Sequence, residues 1–188
     1  MSFPVEDKSR LTNWPAVVGF VPTNHSDTYP YISTASADLS GKSVLVAGAS
    51  RGIGRQTALS FARAGASRIA VAARSNLAEL EKAIVAAAVD AGRPKPKIVS
   101  VQADLTTEAG AAALKSRIDA DFGGVLDVLI NNAGRCENPH TVHESNVDDV
   151  WATWDINSKW PLTMSSPLEE TCIRTRIQTS VERLLTPA

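Results

Sequence analysis

The run Ser43–Gly54, SVLVAGASRGIG, constrains this chain more than any other feature. Ser43 to Ala47 reads as a short apolar strand, Gly48 as the start of a turn, and Gly52-Ile53-Gly54 as the opening of a helix. Glycine at these points lets the backbone turn sharply and lets main-chain N–H groups come close to an anion. The positive end of the following helix faces that anion. The spacing is G-x-x-x-G-x-G, distinct from the G-x-G-x-x-G fingerprint.

The chain has 188 residues, enough for one domain with a real core. Its 44% hydrophobic and 21% charged residues place it with globular proteins. A net charge of −1 leaves no basic footprint for nucleic acid. Cys136 and Cys172 lack both metal-ligand spacing and the density of a disulfide scaffold, which predicts reduced thiols. No apolar run reaches membrane-span length, and MSFPVEDKSR has neither a signal-peptide core nor the acid-poor character of a transit peptide. The default localisation is therefore cytoplasmic.

Residues 1–40 read as an extended N-terminal arm, with Pro4, Pro15, Pro22 and Pro30 and no sustained periodicity. Trp14, Phe20, Tyr29 and Tyr31 are its candidate anchors on the domain surface. The arm reads either as a packing arm or leader, or as a cover over a substrate entrance.

From Leu39 onward strands and helices alternate, the pattern of a parallel sheet covered on both faces. Strands are expected at Ser43–Ala47, Arg68–Ala73, Lys97–Ala103 and Val125–Asn131. The helix after Gly52 is expected to pack through Ile53, Thr57, Ala58, Phe61 and Ala62, and to end at Gly65. Leu77, Leu80, Ile84 and Ala87 or Ala88 predict an amphipathic helix over Asn76–Asp90. Leu114, Ile118 and Phe122 mark a third helix, closed by Gly123 and Gly124. Val147, Val150, Trp151 and Trp154 define one face of a fourth, with Ser145 and Asp148 spaced to cap it. Ser166-Pro167-Leu168-Glu169 reads as a capping box, so a terminal helix is expected from Pro167 to about Leu185.

Together, the glycine turn and Asn131-Asn132-Ala133-Gly134 resemble the short-chain dehydrogenase/reductase family over roughly Leu39 to Leu162. The resemblance implies a Rossmann-like, doubly wound α/β fold. It is expected to be incomplete, with about four strands and a C-terminal helix in place of the fifth. The implied organisation is an arm (1–40), an NADP-binding domain (41–163) and a divergent C-terminal helix (164–188).

The resemblance also implies site residues. Gly48, Ser50, Arg51, Gly52, Ile53 and Gly54 would line the cofactor phosphates. NAD-preferring relatives usually carry an Asp at the end of the second strand, where this chain has Arg74 and Ser75. Arg74 with Arg51 could hold a ribose 2′-phosphate, favouring NADP(H) over NAD(H); either arginine alone also reads as a surface group. Asp104-Leu105 matches the acidic residue at the adenine, or a helix N-terminal carboxylate. Asn131 would tie neighbouring strands together, while Ala133 and Gly134 let the backbone pass close to the cofactor. Asn157 matches the family's tetrad asparagine, which holds a water in the proton relay. Lys159 lies either near the cofactor or on the surface.

The family's reaction is hydride transfer to a carbonyl, or from a secondary alcohol, with a Tyr-x-x-x-Lys pair handling the proton and a Ser polarising the oxygen. The tyrosines here are Tyr29 and Tyr31, before the first strand, and the last lysine is Lys159, so no Tyr-x-x-x-Lys exists. His140 and His143 are substitute proton donors or, more plainly, polar loop residues; as metal ligands they lack a third partner. Three readings follow: an NADP-dependent oxidoreductase by descent, inactive as written; a non-catalytic NADP-binding protein or partner of a full-length relative; and a remnant that does not fold stably. The expected partners are a nucleotide and a small carbonyl or alcohol, with neither nucleic acid nor membrane. One helix of the family's dimer-forming pair is absent from the sequence. The arm and SGKSVLVAGAS resemble fungal relatives common in secondary-metabolite pathways.

Overall fold

A computed structural model describes residues 28–136 and 141–171. Trp14, Phe20, His140, Cys172 and any helix beyond Thr171 lie outside the described residues. The chain divides into two units, ending and beginning at Ser33 and Thr34. The described part of the first is a 3-10 turn, Pro30–Ile32, with Tyr31 and Ile32 exposed.

The second unit holds four parallel strands: β1 (Ser43–Ala47), β2 (Arg68–Ala73), β3 (Lys97–Gln102) and β4 (Val128–Asn131). Their order is β3-β2-β1-β4. All five β1 residues are buried, as a strand covered on both faces requires. Leu45 and Ala47 face one core, with α3 (Glu108–Phe122) through Leu114, Ile118 and Phe122. Val44 and Val46 face the other, with α1 (Gly52–Arg63) and α2 (Ala78–Asp90). Each fully buried Leu or Ile stabilises the fold by about 1.5–3 kcal/mol, so no single one decides it.

From β1 the chain moves outward to β2 and β3, then returns across the sheet to β4 on the other side of β1. The winding reverses at β1, and the carboxyl ends of β1 and β4 part there to leave a crevice. The doubly wound α/β class is as the sequence implied, and element bounds differ in detail. β3 ends at Gln102 rather than Ala103, and β4 begins at Val128 rather than Val125. α2 begins at Ala78, because the Asn76 side chain accepts the Ala78 N–H at 2.8 Å and ends the turn before it.

Two packing expectations are corrected. In α1 the buried face is Gly54, Ala58, Leu59 and Ala62, whereas Ile53 is 79% exposed at the helix start. The fourth helix, α4 (Val147–Trp154), buries none of its residues: Val147, Trp151 and Trp154 are exposed. Its cap is Asn146, which accepts from the N–H groups of Asp148 and Asp149, not Ser145.

The largest departure follows α4. A π-helical turn, Asp155–Lys159, carries the chain directly into α5 (Trp160–Thr171). The helix is already running at Ser166, so a capping box does not begin it there. Tertiary burial outweighs the local signal: Trp160 and Met164, both 1% exposed, seat α5 in the core beside α3.

Candidate functional site

The glycine turn is built from φ angles that a side chain disfavours. Gly48 has φ +70° and Gly52 φ +57°. Gly48 and Ala49 both donate to the Ala72 carbonyl, at 2.8 and 3.3 Å, which fastens the turn to the end of β2. Gly48 also touches the loop after β4: a Cβ there would lie 2.6 Å from Ala133 Cα. At Gly54 a Cβ would collide with the Asn132 amide and the Gly48 carbonyl.

This turn delivers α1 with its first N–H groups uncapped. Arg51 is the N-cap residue, makes no side-chain cap bond, and the first turn holds no acid. Such a helix start is the electropositive end of the macrodipole.

The carboxyl ends of the strands enclose a cleft of about 810 Å³. The turn supplies Gly48, Ser50, Arg51, Gly52 and Ile53; the end of β2 supplies Arg74 and Ser75; the segment after β3 supplies Asp104 and Leu105; and the segment after β4 supplies Ala133 and Gly134. Four sequence-predicted residues are outside its lining. Gly54 packs beneath the turn; Asn131 and Asn157 engage neighbouring elements, and Lys159 pairs within its own turn.

Asp104 makes a local turn. Its Oδ1 accepts the Thr106 hydroxyl at 2.7 Å and the Thr106 N–H at 3.0 Å. These two bonds hold its carboxyl below the ordinary range; partial burial opposes them and Arg74 assists. The carboxylate does not cap α3: Thr107 does, accepting the Gly110 N–H at 3.1 Å.

The strand tie falls to Asn132, not Asn131. Asn132 Nδ2 donates to the Ala47 carbonyl at 3.2 Å and to the Gly48 carbonyl at 3.1 Å, joining β4 to β1 where the crevice opens. Successive side chains along a strand point to opposite sides, so the neighbouring Asn131 reaches elsewhere. Its Nδ2 donates to Ser165 Oγ on α5 at 3.3 Å.

Asn157 lies in the π-turn, and its amide is committed to the backbone of Arg135. The Arg135 guanidinium pairs with Asp149 of α4. Lys159 pairs with Asp155 at 3.7 Å. His143 is exposed in a 3-10 turn, Val142–Glu144.

Sequence reasoning missed Asn132, Thr106, Arg135 and Asp155 as cleft residues. Asn132 was within the quoted motif, and strand parity would have selected it. Nothing in the sequence marks the others.

The profile of the short chain dehydrogenase family matches residues 42–174. The short chain dehydrogenase mpl6 of Monascus purpureus is 41% identical over 154 residues, covering 81% of this chain and 52% of that protein. L-sorbose reductase from Gluconobacter frateurii, solved with NADPH and L-sorbose, superposes with a TM-score of 0.59 at 25% identity, over 70% of this chain and 47% of that one. The NADH-dependent reductase A1-R′ gives 0.61 at 27% identity, over 71% of this chain and 52% of that one. This chain belongs to the short-chain dehydrogenase/reductase family, whose members bind nicotinamide cofactors. It spans about half the length of these relatives. Among the described residues, no helix is long and apolar enough to cross a membrane.

Proposed function

We propose that the cleft binds NADP(H), and that this chain provides the nucleotide-binding part of an oxidoreductase acting on a carbonyl or secondary alcohol. The observation that carries this reading is the uncapped start of α1 beside two arginines, with no carboxylate at the end of β2. The fit is physical. Gly48 and Gly52 present no side chain to the cleft, and the N–H groups of Gly52 and Ile53 would take the pyrophosphate with Ser50. Arg74 and Arg51 would take a 2′-phosphate through charge-assisted bonds. Asp104, with Leu105 beside it, keeps an ionised carboxylate for the adenine amino group. Ala133 and Gly134 let the backbone lie along the cofactor, and Asn131 holds α5 against the edge of the cleft. Asn157 fixes the loop after β4, and Lys159 would lie beside the cleft through its pairing with the cleft residue Asp155.

The nicotinamide would supply the hydride. Proton transfer needs a donor at the substrate oxygen, and these 188 residues contain no Tyr-x-x-x-Lys. We therefore propose that the chain as written binds NADP(H) without reducing a carbonyl, alone or beside a longer relative. Fluorescence titration tests the first part: NADPH should bind about tenfold tighter than NADH, the scale of one charge-assisted bond. Equal affinities refute the NADP preference, and no saturable binding refutes the site. Rapid NADPH oxidation across a panel of ketones refutes the second part.

A further inference from the structure

β2 and β3 pair in register from Arg68 and Lys97 to Ala73 and Gln102. The Ala73 carbonyl accepts the Ala103 N–H at 3.0 Å, the outermost backbone bond between these strands at the cleft end among the described residues. Past it the chain bends at Arg74 and Ser75, and both line the cleft. The far end of this bend is fixed: the Asn76 side chain accepts the Ala78 N–H, and Leu77 is buried with Leu80 and Ile84. The near end is held by a side chain. Gln102 Nε2 donates to the Arg74 carbonyl at 3.0 Å, so the last residue of β3 makes a tie that the backbone ladder no longer provides.

A bond at this carbonyl fixes more than one atom. It restricts both backbone rotations of Arg74, and the long side chain amplifies any freedom left there. Asp104 stands nearby with the opposite charge, and Arg74 helps to keep its carboxyl ionised. An Arg74 released at its carbonyl would lean toward that carboxylate instead of standing ready for a phosphate. Gln102 is itself exposed and lies outside the lining of the cleft. Its route to a bound nucleotide runs through Arg74.

We propose that Gln102 is a positioning residue for cofactor choice: its amide holds the Arg74 backbone so that the guanidinium is poised for a ribose 2′-phosphate. This inference rests on the NADP(H) reading above.

The test is a double-mutant cycle on the 188-residue chain, with NADPH and NADH titrations of each variant well below its unfolding transition. Gln102→Met keeps the length and bulk of the side chain and removes the donor. It should raise the NADPH dissociation constant about threefold, the scale of one exposed neutral hydrogen bond, and leave NADH unchanged. In an Arg74→Ala background the same substitution should have no further effect on NADPH, because the guanidinium it positions is gone. Ser100→Ala lies on the same strand and removes a bond to Glu81, away from the cleft; it should leave both cofactors unaffected. A uniform loss for NADPH and NADH overturns the proposal. So do an unchanged NADPH affinity, equal weakening by Ser100→Ala, and an effect that persists without Arg74. Should Gln102→Met not fold, Gln102→Ala is judged by the same ratio of affinities. Absence of saturable NADPH binding by the unaltered chain refutes the cofactor reading and this inference with it. Binding whose NADPH-to-NADH ratio does not move refutes this inference alone.

Discussion

Asn157 closes on the backbone of Arg135 from both sides: its Oδ1 accepts the Arg135 N–H at 2.9 Å and its Nδ2 donates to the Arg135 carbonyl at 2.7 Å. One side chain from the π-turn thereby holds the loop leaving β4. Asn157 sits in the π-turn, a departure from regular α-helix that is frequent at functional sites. Asn157→Ala should cost about 1 kcal/mol, two ordinary hydrogen bonds at an exposed site, read from the urea midpoint. No change in midpoint would show that the pair does not hold the loop.

Two glycines in the same turn separate strain from collision. Gly48 combines a positive φ with contact at Ala133, whereas nothing lies within 4 Å of a Cβ at Gly52. Gly52→Ala should cost only the left-handed strain, about 1–2 kcal/mol. Gly48→Ala should cost clearly more and abolish NADPH binding. Thermal denaturation and nucleotide titration of both variants give the comparison, and equal losses would contradict it.

Arg74→Ala should weaken NADPH binding about tenfold while leaving NADH within a factor of about two, because only the phosphate-bearing cofactor offers the arginine a partner. Parallel titrations measure the ratio. A uniform loss for both cofactors would make Arg74 a structural residue of the cleft rim.

Acid should loosen the β1–β4 junction. Burial pushes the Asp127 carboxyl up, but the bonds from Lys42 and Ser43 together outweigh it and hold the group below the ordinary carboxylate value. A depressed folded value means its contribution is present above the unfolded pKa of about 4 and is lost as pH falls through the folded one. Asp127→Asn should therefore narrow the difference in stability between pH 6 and pH 3, followed by thermal melts. An unaltered acid limb would show that Asp127 does not carry it.

Legibility in the sequence followed the range of the forces involved. The β1 turn and the Ala133-Gly134 pair of the NNAG run were visible because each needs small residues for local backbone reasons. The cleft lining after β2 and β3 followed from the same motif logic, down to Arg74 and Asp104. Long-range burial was invisible. Ser166-Pro167 carries a strong local start signal, yet the helix is set earlier by Trp160 and Met164 entering the core. Val147, Trp151 and Trp154 have core-like spacing but face solvent. Asn132 rather than Asn131 ties the strands because of parity at the strand end, which a motif string does not display.

The contact between Gly48 and Ala133 also limits how the sequence can drift. The atoms that a methyl at position 48 would strike first are the Cα and N of Ala133, at 2.6 and 2.8 Å. Trimming a neighbour's side chain moves neither, so no second-site suppressor at position 133 can rescue a substitution at 48. Any library built on this chain should find that position closed, in every background, to all but the smallest amino acid.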